Sequence, residues 1–577
     1  MPVAGDESAS GNALFDRVVR PDRVSLAVLA VAVLALAARL VSLGTRIASF
    51  DEGRLGTRIL QYRATGDWAF APAGGSPLLV HVDRWLFAVA GPDDFVARLP
   101  VAVVGACLPL VALLFRDRLR DGAVVGVAVV LAASPALVFH SRTLSPVVPM
   151  AAFSLAAAGF GLRLVDRGEF RDASALAAAV ALAIAAEEVA VAVLGAGALS
   201  AWLVAGRPWP PSAGSIRDEM TAWRRPILGS VVLFLALVTL LFAPRGSAGD
   251  ATGLWAGLVQ PWHFPGVLFD ATVGTAASTI EHWGSGPLLV DAPIEAFGGS
   301  SGTVLVGAQG VAVLAVAGLL WTLRGSGQSH GTGDPRDALV RFATLWGALL
   351  FAGAVLTVGP GSIRPFVPAI VVLAVPAGVG LSALVTRAIH ALRRDSVASS
   401  ALLSIVLGAV VLQGAAVAVD GVYRDPAADE YSLATADPGS ERLGAVLDLA
   451  VVAVGDATES PDVIYYGSLA NASGDDGSDG TLSEPADPPG HPLTWYFGAA
   501  DASVEETTDA DRVATELPPV VVARAEHFET LEPHLEGYVA FPVTLPRLDG
   551  RVIVFVRSDR IPGDRWTAAL SPVHAGS

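Results

Sequence analysis

Two adjacent acidic residues, Asp51 and Glu52, are the residues of this sequence best suited to carry out chemistry. They stand in the segment 49–54 (SFDEGR), a few residues after the first long apolar run. A carboxylate at the boundary of a membrane acts as a general base or as an oxygen ligand of a divalent metal ion when it faces a cavity between helices. A solvated loop is the alternative, because two hydrated carboxylates there cost little. We predict that Asp51 and Glu52 are catalytic, and that Asp51 is the residue that would hold a metal ion.

The composition indicates a membrane protein. Of 577 residues, 53% are hydrophobic and 16% are charged, and the mean hydropathy is +0.55. A soluble protein of this length carries more surface charge. The net charge of −17 argues against a nucleic-acid partner. The absence of lysine beside many arginines and acids is typical of salt-loving archaea, with a GC-rich genome as the alternative. We expect Cys107, inside an apolar run, to be a buried packing residue.

Apolar runs of membrane-spanning length follow one another from residue 24 to residue 420. A helix needs about 20 apolar residues to cross the hydrocarbon core with its backbone groups paired. This rule predicts about eleven spans, near 24–43, 97–115, 122–140, 146–165, 173–186, 189–205, 226–243, 303–323, 342–358, 364–386 and 399–420. We divide the run 173–205 because two unpaired carboxylates, Glu187 and Glu188, would be costly within the membrane. One long tilted helix is the alternative.

The loops between these runs predict an orientation. If the spans are counted as above, clusters of arginine all fall on one side of the membrane, at 17–23, 116–120, 163–171, 207–225, 336–341 and 387–394. The positive-inside rule makes that side cytoplasmic, together with the N-terminal tail 1–23. The transmembrane domain is then 24–420 with external loops at 44–96 and 244–302. Residues 421–577 form an external acidic domain.

Strand-like runs alternate with helical stretches in residues 421–577. Strands are predicted at 461–466, 494–497, 519–523 and 551–556, and helices at 509–516 and 525–535. Such alternation predicts a partly parallel sheet. The stretch 471–489 predicts a flexible insertion, and Asn471 begins an N-x-S glycosylation triplet. The predicted fold class is a mainly α, polytopic membrane protein with a small α/β extracytoplasmic domain.

Several motifs in a fixed order resemble those of the multispan C-type (GT-C) glycosyltransferases, which include protein mannosyltransferases and aminoarabinose transferases. They are an arginine-bearing start, one span, the D-E-G-R helix and a Gly-Pro-type loop before a return span. More closely, the sequence resembles the haloarchaeal flippase-activity-associated proteins. That likeness lies in Val138–Arg142 (VFHSR), Val367–Gly380, Leu493–Tyr496, and the later PPVVVA and RVIVFVR segments. It extends from about Arg20 to Arg557.

The resemblance implies transfer of a sugar from a polyprenyl (dolichyl) phosphate carrier at the external face, in protein glycosylation, by an inverting enzyme. In such enzymes an aspartate just after the first span is the catalytic base or orients the acceptor, and here that residue is Asp51. The departing phosphate needs a cation. Arg142, Arg54 and Arg58 are the candidates.

The resemblance also concerns the tip of a helix hairpin. Related transferases place polar residues there that contact substrate, and here these are Glu187 and Glu188. A solvated turn is an equal alternative. Arg364 is a candidate second phosphate contact, for which a snorkelling arginine is the favoured alternative.

The sequence departs from the family pattern beside these residues. No acid follows Ser141 and Arg142 in the next few positions, and the loop at Gly74–Pro77 lacks the histidine of the usual His-Gly-Pro. These departures favour a non-catalytic accessory protein for lipid-linked sugars, whereas Asp51 and Glu52 favour a transferase. A transporter is the third hypothesis, and no internal repeat supports it. The predicted partners are polyprenyl-phosphate-linked sugar, membrane lipid and other glycosylation proteins. A divalent metal ion is the one cofactor considered.

Overall fold

A computed structural model of the protein describes residues 22–72, 75–206, 213–246, 253–285, 309–323, 335–357, 364–393, 408, 423, 441–455, 461–467, 492–544 and 551–561. These residues form a largely helical bundle and a small domain with one sheet. The predicted mainly α fold with a small sheet-containing C-terminal domain is therefore confirmed. The insertion 471–489 with Asn471, and the span 399–420 apart from residue 408, lie outside the described residues.

The helical bundle is built from elements that follow the predicted apolar runs. Its N-terminal half contains α1 (Arg23–Leu40), α2 (Phe50–Thr65), α3 (Pro77–Ala90), α4 (Asp94–Cys107, continued by a 3-10 helix at Leu108–Phe115), α5 (Asp121–Ala133), α6 (Pro135–His140), α7 (Val147–Arg167), α8 (Phe170–Ala186) and α9 (Ala190–Ala205). Its C-terminal half contains α10 (Ala213–Phe242), α11 (Leu254–Val259), α12 (Phe264–Phe269), α13 (Thr275–Ser285), α14 (Gln309–Leu323), α15 (Pro335–Thr357) and α16 (Val367–Arg393).

The described helices do not establish the predicted number of spans. Five are long and apolar enough to cross a membrane, namely Arg23–Leu40, Asp94–Phe115, Val147–Arg167, Pro335–Leu356 and Arg364–Arg393. Other apolar helices at predicted spans are shorter. The break predicted at Glu187 and Glu188 is confirmed, because α8 ends at Ala186 and α9 begins at Ala190.

Glycines let helices of the bundle pack backbone to backbone. A Cβ on Gly126 of α5 would lie 2.4 Å from the carbonyl oxygen of Gly378 on α16, and one on Gly318 of α14 would meet that of Pro376. Such close approach is typical of membrane helices. The Pro-Ala-Gly-Val-Gly run at 376–380 thus has a packing role.

The prediction that Cys107 is buried is wrong. Its side chain is exposed, as is that of Val103 one turn earlier on α4. An apolar face turned outward is expected of a helix that meets lipid, and a thiol is apolar enough to belong to it.

Ion pairs hold one end of the bundle together. Arg116 pairs with Asp22 before α1, and the ends of α4 and α7 exchange the pairs Arg118–Asp166 and Arg167–Asp117. These arginines belong to clusters that the sequence assigns to one side. Helices α2 and α3, in the predicted external loop 44–96, lie at the other end together with the C-terminal domain, which contacts α2.

The C-terminal domain contains a five-stranded sheet in the order β2-β1-β3-β5-β4. The strands are β1 (Val463–Tyr466), β2 (Val504–Thr507), β3 (Val520–Arg524), β4 (Tyr538–Thr544) and β5 (Arg551–Arg557). Strands β1, β2 and β3 are parallel, and β5 is antiparallel to both of its neighbours, so the predicted partly parallel sheet is present. Helix α17 (Glu441–Gly455) packs on one face of the sheet.

One predicted strand of this domain is wrong. Residues 494–497 lie in a helix, α18 (Pro492–Ala499), and β2 and β4 were not predicted. A strand would alternate its side chains between two faces. Helical spacing instead lets Trp495 contact the bundle while Phe497 is buried in the core of the domain. The predicted helix 525–535 consists of short turns around Phe528–Leu531.

Candidate functional site

Helix α2 begins with a capping box. The hydroxyl of Ser49 accepts a hydrogen bond from the backbone N–H of Glu52 at 3.4 Å, and the Glu52 carboxylate accepts one from the N–H of Ser49 at 2.9 Å. The box satisfies two backbone donors that a helix start leaves unpaired. It places Asp51 and Glu52 in the first turn, where the helix dipole favours negative charge.

Glu52 is buried and fully engaged. Arg98 of α4 donates to both carboxylate oxygens, at 2.8 Å and 3.3 Å, and the N–H of Leu144 donates to one of them at 2.7 Å. Arg46 lies 3.5 Å away. Burial alone would raise the pKa of Glu52, but Arg98 and Arg46 together lower it to about 2. These contacts give Glu52 a part in joining α2, α4 and the segment after α6, and offer nothing that supports its predicted catalytic role.

Asp51 has a different partner, which comes from a distant part of the chain. The guanidinium of Arg364 donates to Asp51 at 3.3 Å and to Glu187 at 2.9 Å. Arg364 stands just before α16, and Glu187 is at the tip between α8 and α9. The three side chains are between 17% and 34% exposed, so the group is partly open. We call Asp51, Arg364 and Glu187 the Arg364 cluster.

Further polar groups surround the Arg364 cluster. Glu188 and His140 both interact electrostatically with Arg364. Burial raises the pKa of Glu187, although Arg364 opposes the shift. Within the described part of the chain, neither His140 Nε2 nor Glu187 Oε2 has a hydrogen-bond partner. Buried polar atoms are nearly always paired, so two free ones beside an arginine point to a ligand-binding position.

The described residues hold no preassembled cluster of metal ligands at Asp51. Across those ranges, no three side chains of His, Cys, Asp or Glu are grouped closely enough to hold a metal ion by themselves. The Arg364 guanidinium already lies between the carboxylates of Asp51 and Glu187. A guanidinium provides planar, bidentate recognition of phosphate without a metal.

Arg142, the predicted phosphate contact, lies elsewhere. Its guanidinium donates to the carbonyl oxygens of Ala38, Arg39, Val41 and Ser42, at the C-terminal end of α1. The side chain is buried. A cation at a helix C-terminus satisfies carbonyls that have no partner within the helix. The structure therefore directs the donors of Arg142 to the end of α1 rather than to Asp51.

The other two predicted arginines belong to α2. Arg54 is three residues after Asp51 and Arg58 is four residues after Arg54, so all three lie on the same side of the helix. Their side chains are half-buried. They extend the site along α2, away from the Arg364 cluster.

Sequence reasoning missed a group of arginine and aromatic side chains near the C-terminal end of α2. The Arg84 guanidinium lies 4.2 Å from the centre of the Tyr62 ring and donates to its hydroxyl at 3.4 Å. The His81 ring meets those of Trp68 and Tyr62 edge-on, at 4.7 Å and 5.7 Å between centroids. Burial lowers the pKa of His81 to about 4, so the ring is neutral. Arg245 joins the group through paired backbone hydrogen bonds with Trp68. The one indication of this group in the sequence was the four-residue spacing of Arg58 and Tyr62, which places both on one side of a helix.

Comparison with known proteins agrees with this architecture. ArnT from Cupriavidus metallidurans, bound to undecaprenyl phosphate, is 18% identical, with 93% of this chain and 99% of that chain covered and a TM-score of 0.51. The oligosaccharyltransferase AglB from Archaeoglobus fulgidus, in complex with an inhibitory peptide and a dolichol-phosphate, is 12% identical, with coverage of 93% and 75% and a TM-score of 0.51. Both are GT-C glycosyltransferases. This likeness establishes the fold.

The C-terminal domain has a separate match. Residues 446–558 match the model of the Agl23 flippase-associated protein C-terminal domain. A search of curated proteins finds no match to the chain. The predicted resemblance to GT-C and flippase-associated proteins is thus confirmed for the fold and for this domain.

Proposed function

We propose that the protein binds a sugar linked to polyprenyl phosphate at the Arg364 cluster, and that Arg364 holds the phosphate. The observation that carries this proposal is the placement of Arg364 between Asp51 and Glu187 at the end of the bundle opposite the ion-paired arginines. A guanidinium has five donors in a planar fork, which suits a phosphate. Arg54 and Arg58 add positive charge along α2, the helix that carries Asp51.

The ion pair with Asp51 gives the site two states. An arriving phosphate competes with Asp51 for Arg364, and when it binds, the carboxylate is released. A released carboxylate beside the sugar accepts a proton or a hydrogen bond from an acceptor hydroxyl. Glu187 stays on Arg364 and keeps the guanidinium in place. In the absence of carrier, the ion pair with Arg364 thus keeps the Asp51 carboxylate from acting as a base.

We propose that sugar transfer at this cluster takes place as one balanced step. The acceptor oxygen attacks the anomeric carbon, its proton passes to Asp51, and the bond between that carbon and the phosphate oxygen breaks. The phosphate leaves with the bonding electrons and is held by Arg364. Attack from the face opposite the phosphate inverts the anomeric configuration. We propose this inverting transfer as the activity, with protein glycosylation as the setting.

An accessory role is the second candidate, in which the carrier is bound or handed on without transfer. It is favoured by the match of residues 446–558 to a flippase-associated domain, and by the missing acid after Arg142. The bound lipid phosphates of ArnT and AglB fit both candidates. In both, we propose that the arginine-paired end of the bundle is cytoplasmic, because arginine collects on that side of membranes.

Carrier binding is tested with purified protein in lipid nanodiscs and a radiolabelled dolichyl-phosphate sugar. We expect Arg364→Gln to weaken binding by about 10- to 100-fold, which is the effect of losing a charge-assisted phosphate contact. Arg171→Gln is the matched control, because Arg171 is 74% exposed and pairs only with the loop residue Glu169 within the described chain. Equal affinity in the Arg364→Gln variant and the native protein would contradict the proposal.

A further inference from the structure

Helix α18 of the C-terminal domain rests directly on α2, the helix that carries Asp51. The Trp495 ring packs against Gly56 so closely that a Cβ there would lie 2.4 Å from a ring atom. The ring also contacts Phe87 of α3, with 5.6 Å between the ring centroids. The Thr57 and Thr494 hydroxyls meet at 3.3 Å. Trp495 is 2% exposed and belongs to the core of the bundle rather than to that of its own domain.

Two side chains of α18 converge on a single carboxylate at the start of α4. The Trp495 indole N–H donates to Asp94 at 2.8 Å, and the Tyr496 hydroxyl donates to its other oxygen at 2.7 Å. The same hydroxyl accepts a hydrogen bond from the backbone N–H of Ala48 at 2.8 Å. Ala48 directly precedes Ser49, the capping residue of α2. Tyr496 therefore joins the C-terminal domain to the start of α2.

The contacts continue from Asp94 toward the site. Arg98 lies one turn after Asp94 on α4, and it binds Glu52 together with the carbonyl oxygens of Leu43 and Arg46. The segment between α1 and α2 is thus held by Arg98 on one side and by Tyr496 on the other. Asp51 follows this segment and has Arg364 as its partner. Buried, fully paired polar networks of this kind fix one geometry because no group in them has an equivalent second partner.

From these contacts we infer that Trp495 and Tyr496 are positioning residues, through which the C-terminal domain sets where Asp51 stands relative to Arg364. The consequence for function rests on the proposed function above. The C-terminal domain then contributes to the carrier site by holding Asp51 in position. Asp51 reaches Arg364 only while α18 is seated on α2.

The first test measures the position of α2 without any carrier. Cys107→Ser removes the one native thiol, and Phe50→Cys then places a reporter next to Asp51 for labelling by a small maleimide. In this background we expect Tyr496→Phe to raise the labelling rate by at least about fivefold. Without the hydrogen bond from Ala48 to Tyr496, the first turn of α2 unfolds locally more often and exposes the reporter thiol. Tyr538→Phe is the matched control, since the Tyr538 hydroxyl binds the Pro518 carbonyl within the domain. Equal rates in the two tyrosine variants would overturn the inference.

The second test separates positioning from general support of the fold. Because Asp51 competes with phosphate for Arg364, we expect Tyr496→Phe to strengthen binding of the dolichyl-phosphate sugar by about fivefold in the native background, and to change it by less than about twofold when Asp51→Asn is already present. The same change in both backgrounds, or weaker binding in the native background, would show a purely structural role and overturn the inference. If neither Asp51→Asn nor Arg364→Gln changes binding, the proposed function fails. The labelling test then still decides whether Tyr496 positions α2.

Discussion

Asp51 and Glu52 are neighbours in the chain, yet Glu52 binds Arg98 inside the bundle while Asp51 binds Arg364 at its open end. Successive helix positions differ by roughly 100°, so adjacent side chains in one turn face different surroundings. The two neighbouring acids therefore have different structural roles. Glu52 fixes the start of α2, and Asp51 remains partly exposed beside Arg364.

Replacing Glu52 should cost stability. We expect Glu52→Gln to lower the free energy of unfolding by about 3 kcal/mol, because it leaves the buried Arg98 without its carboxylate. Thermal unfolding in detergent measures the loss. Asp51→Asn is the control and should change stability by less than about 0.5 kcal/mol, since Asp51 is partly exposed. A larger loss in the Asp51 variant than in the Glu52 variant would contradict this difference in roles.

The stabilisation from Glu52 should also have a defined pH range. Its pKa is lowered from the ordinary 4.5 to about 2 in the folded protein. Because the folded pKa is the lower one, the contribution is complete above pH 4.5 and is lost as the pH falls toward 2. Unfolding temperatures measured across this range should converge for native protein and Glu52→Gln. A constant difference at all pH values would contradict the assignment.

Asp51→Asn distinguishes the two candidate functions. If the protein transfers sugar, the variant should lose about 100-fold or more in transfer rate, the typical contribution of a general base. Carrier binding should change by less than about tenfold, because Arg364 keeps its pair with Glu187. Transfer from a dolichyl-phosphate sugar to an acceptor is measured in membranes that lack the native protein. Full complementation by Asp51→Asn would contradict catalysis and favour the accessory role.

Carrier affinity should rise as the pH falls, and Glu187 is the cause. Burial raises the pKa of Glu187, so its carboxylate takes up a proton above the usual range. Once it is neutral, Arg364 has one anionic partner fewer and binds phosphate more tightly. A sugar phosphodiester has no second ionisation near neutrality, so the charge of the carrier stays constant. Titration of binding from about pH 8 to pH 5 should show this rise in native protein and a flat profile in Glu187→Gln. A rise that persists in the variant would exclude Glu187.

The sequence predicts those parts of the site that are coded locally. Ser49 and Glu52 have the spacing of a capping box, which defines the start of α2, and Glu187 and Glu188 mark the break between α8 and α9 because carboxylates avoid lipid. Such local reasoning does not identify Arg364 as the partner of Asp51. It meets Asp51 across 313 residues, and nothing near it in the sequence distinguishes a site arginine from one that snorkels to the interface.

At Trp495 a local pattern gives the wrong secondary structure, and at Arg142 it does not show where the side-chain donors are used. Arg142 follows a span, as a phosphate contact would, but the carbonyls at the end of α1 are closer and take its donors. Residues 494–497 (TWYF) are of types that favour strands, but the aromatic side chains divide between two cores. Only the packing of the two domains determines that choice.

The seat of α18 on α2 gives a last prediction, made at Gly56. Alanine in a helix is more favourable than glycine by up to about 1 kcal/mol, but a Cβ at Gly56 would overlap the Trp495 ring at 2.4 Å, and overpacking costs about 1–3 kcal/mol. We therefore expect Gly56→Ala to lower the unfolding temperature. Adding Trp495→Leu should recover part of this loss, since a smaller side chain makes room. Gly195→Ala is the control because a Cβ there meets no atom within 4 Å, so stability should be unchanged or higher. Equal stability of the two alanine variants would mean that α18 does not rest on α2 in solution.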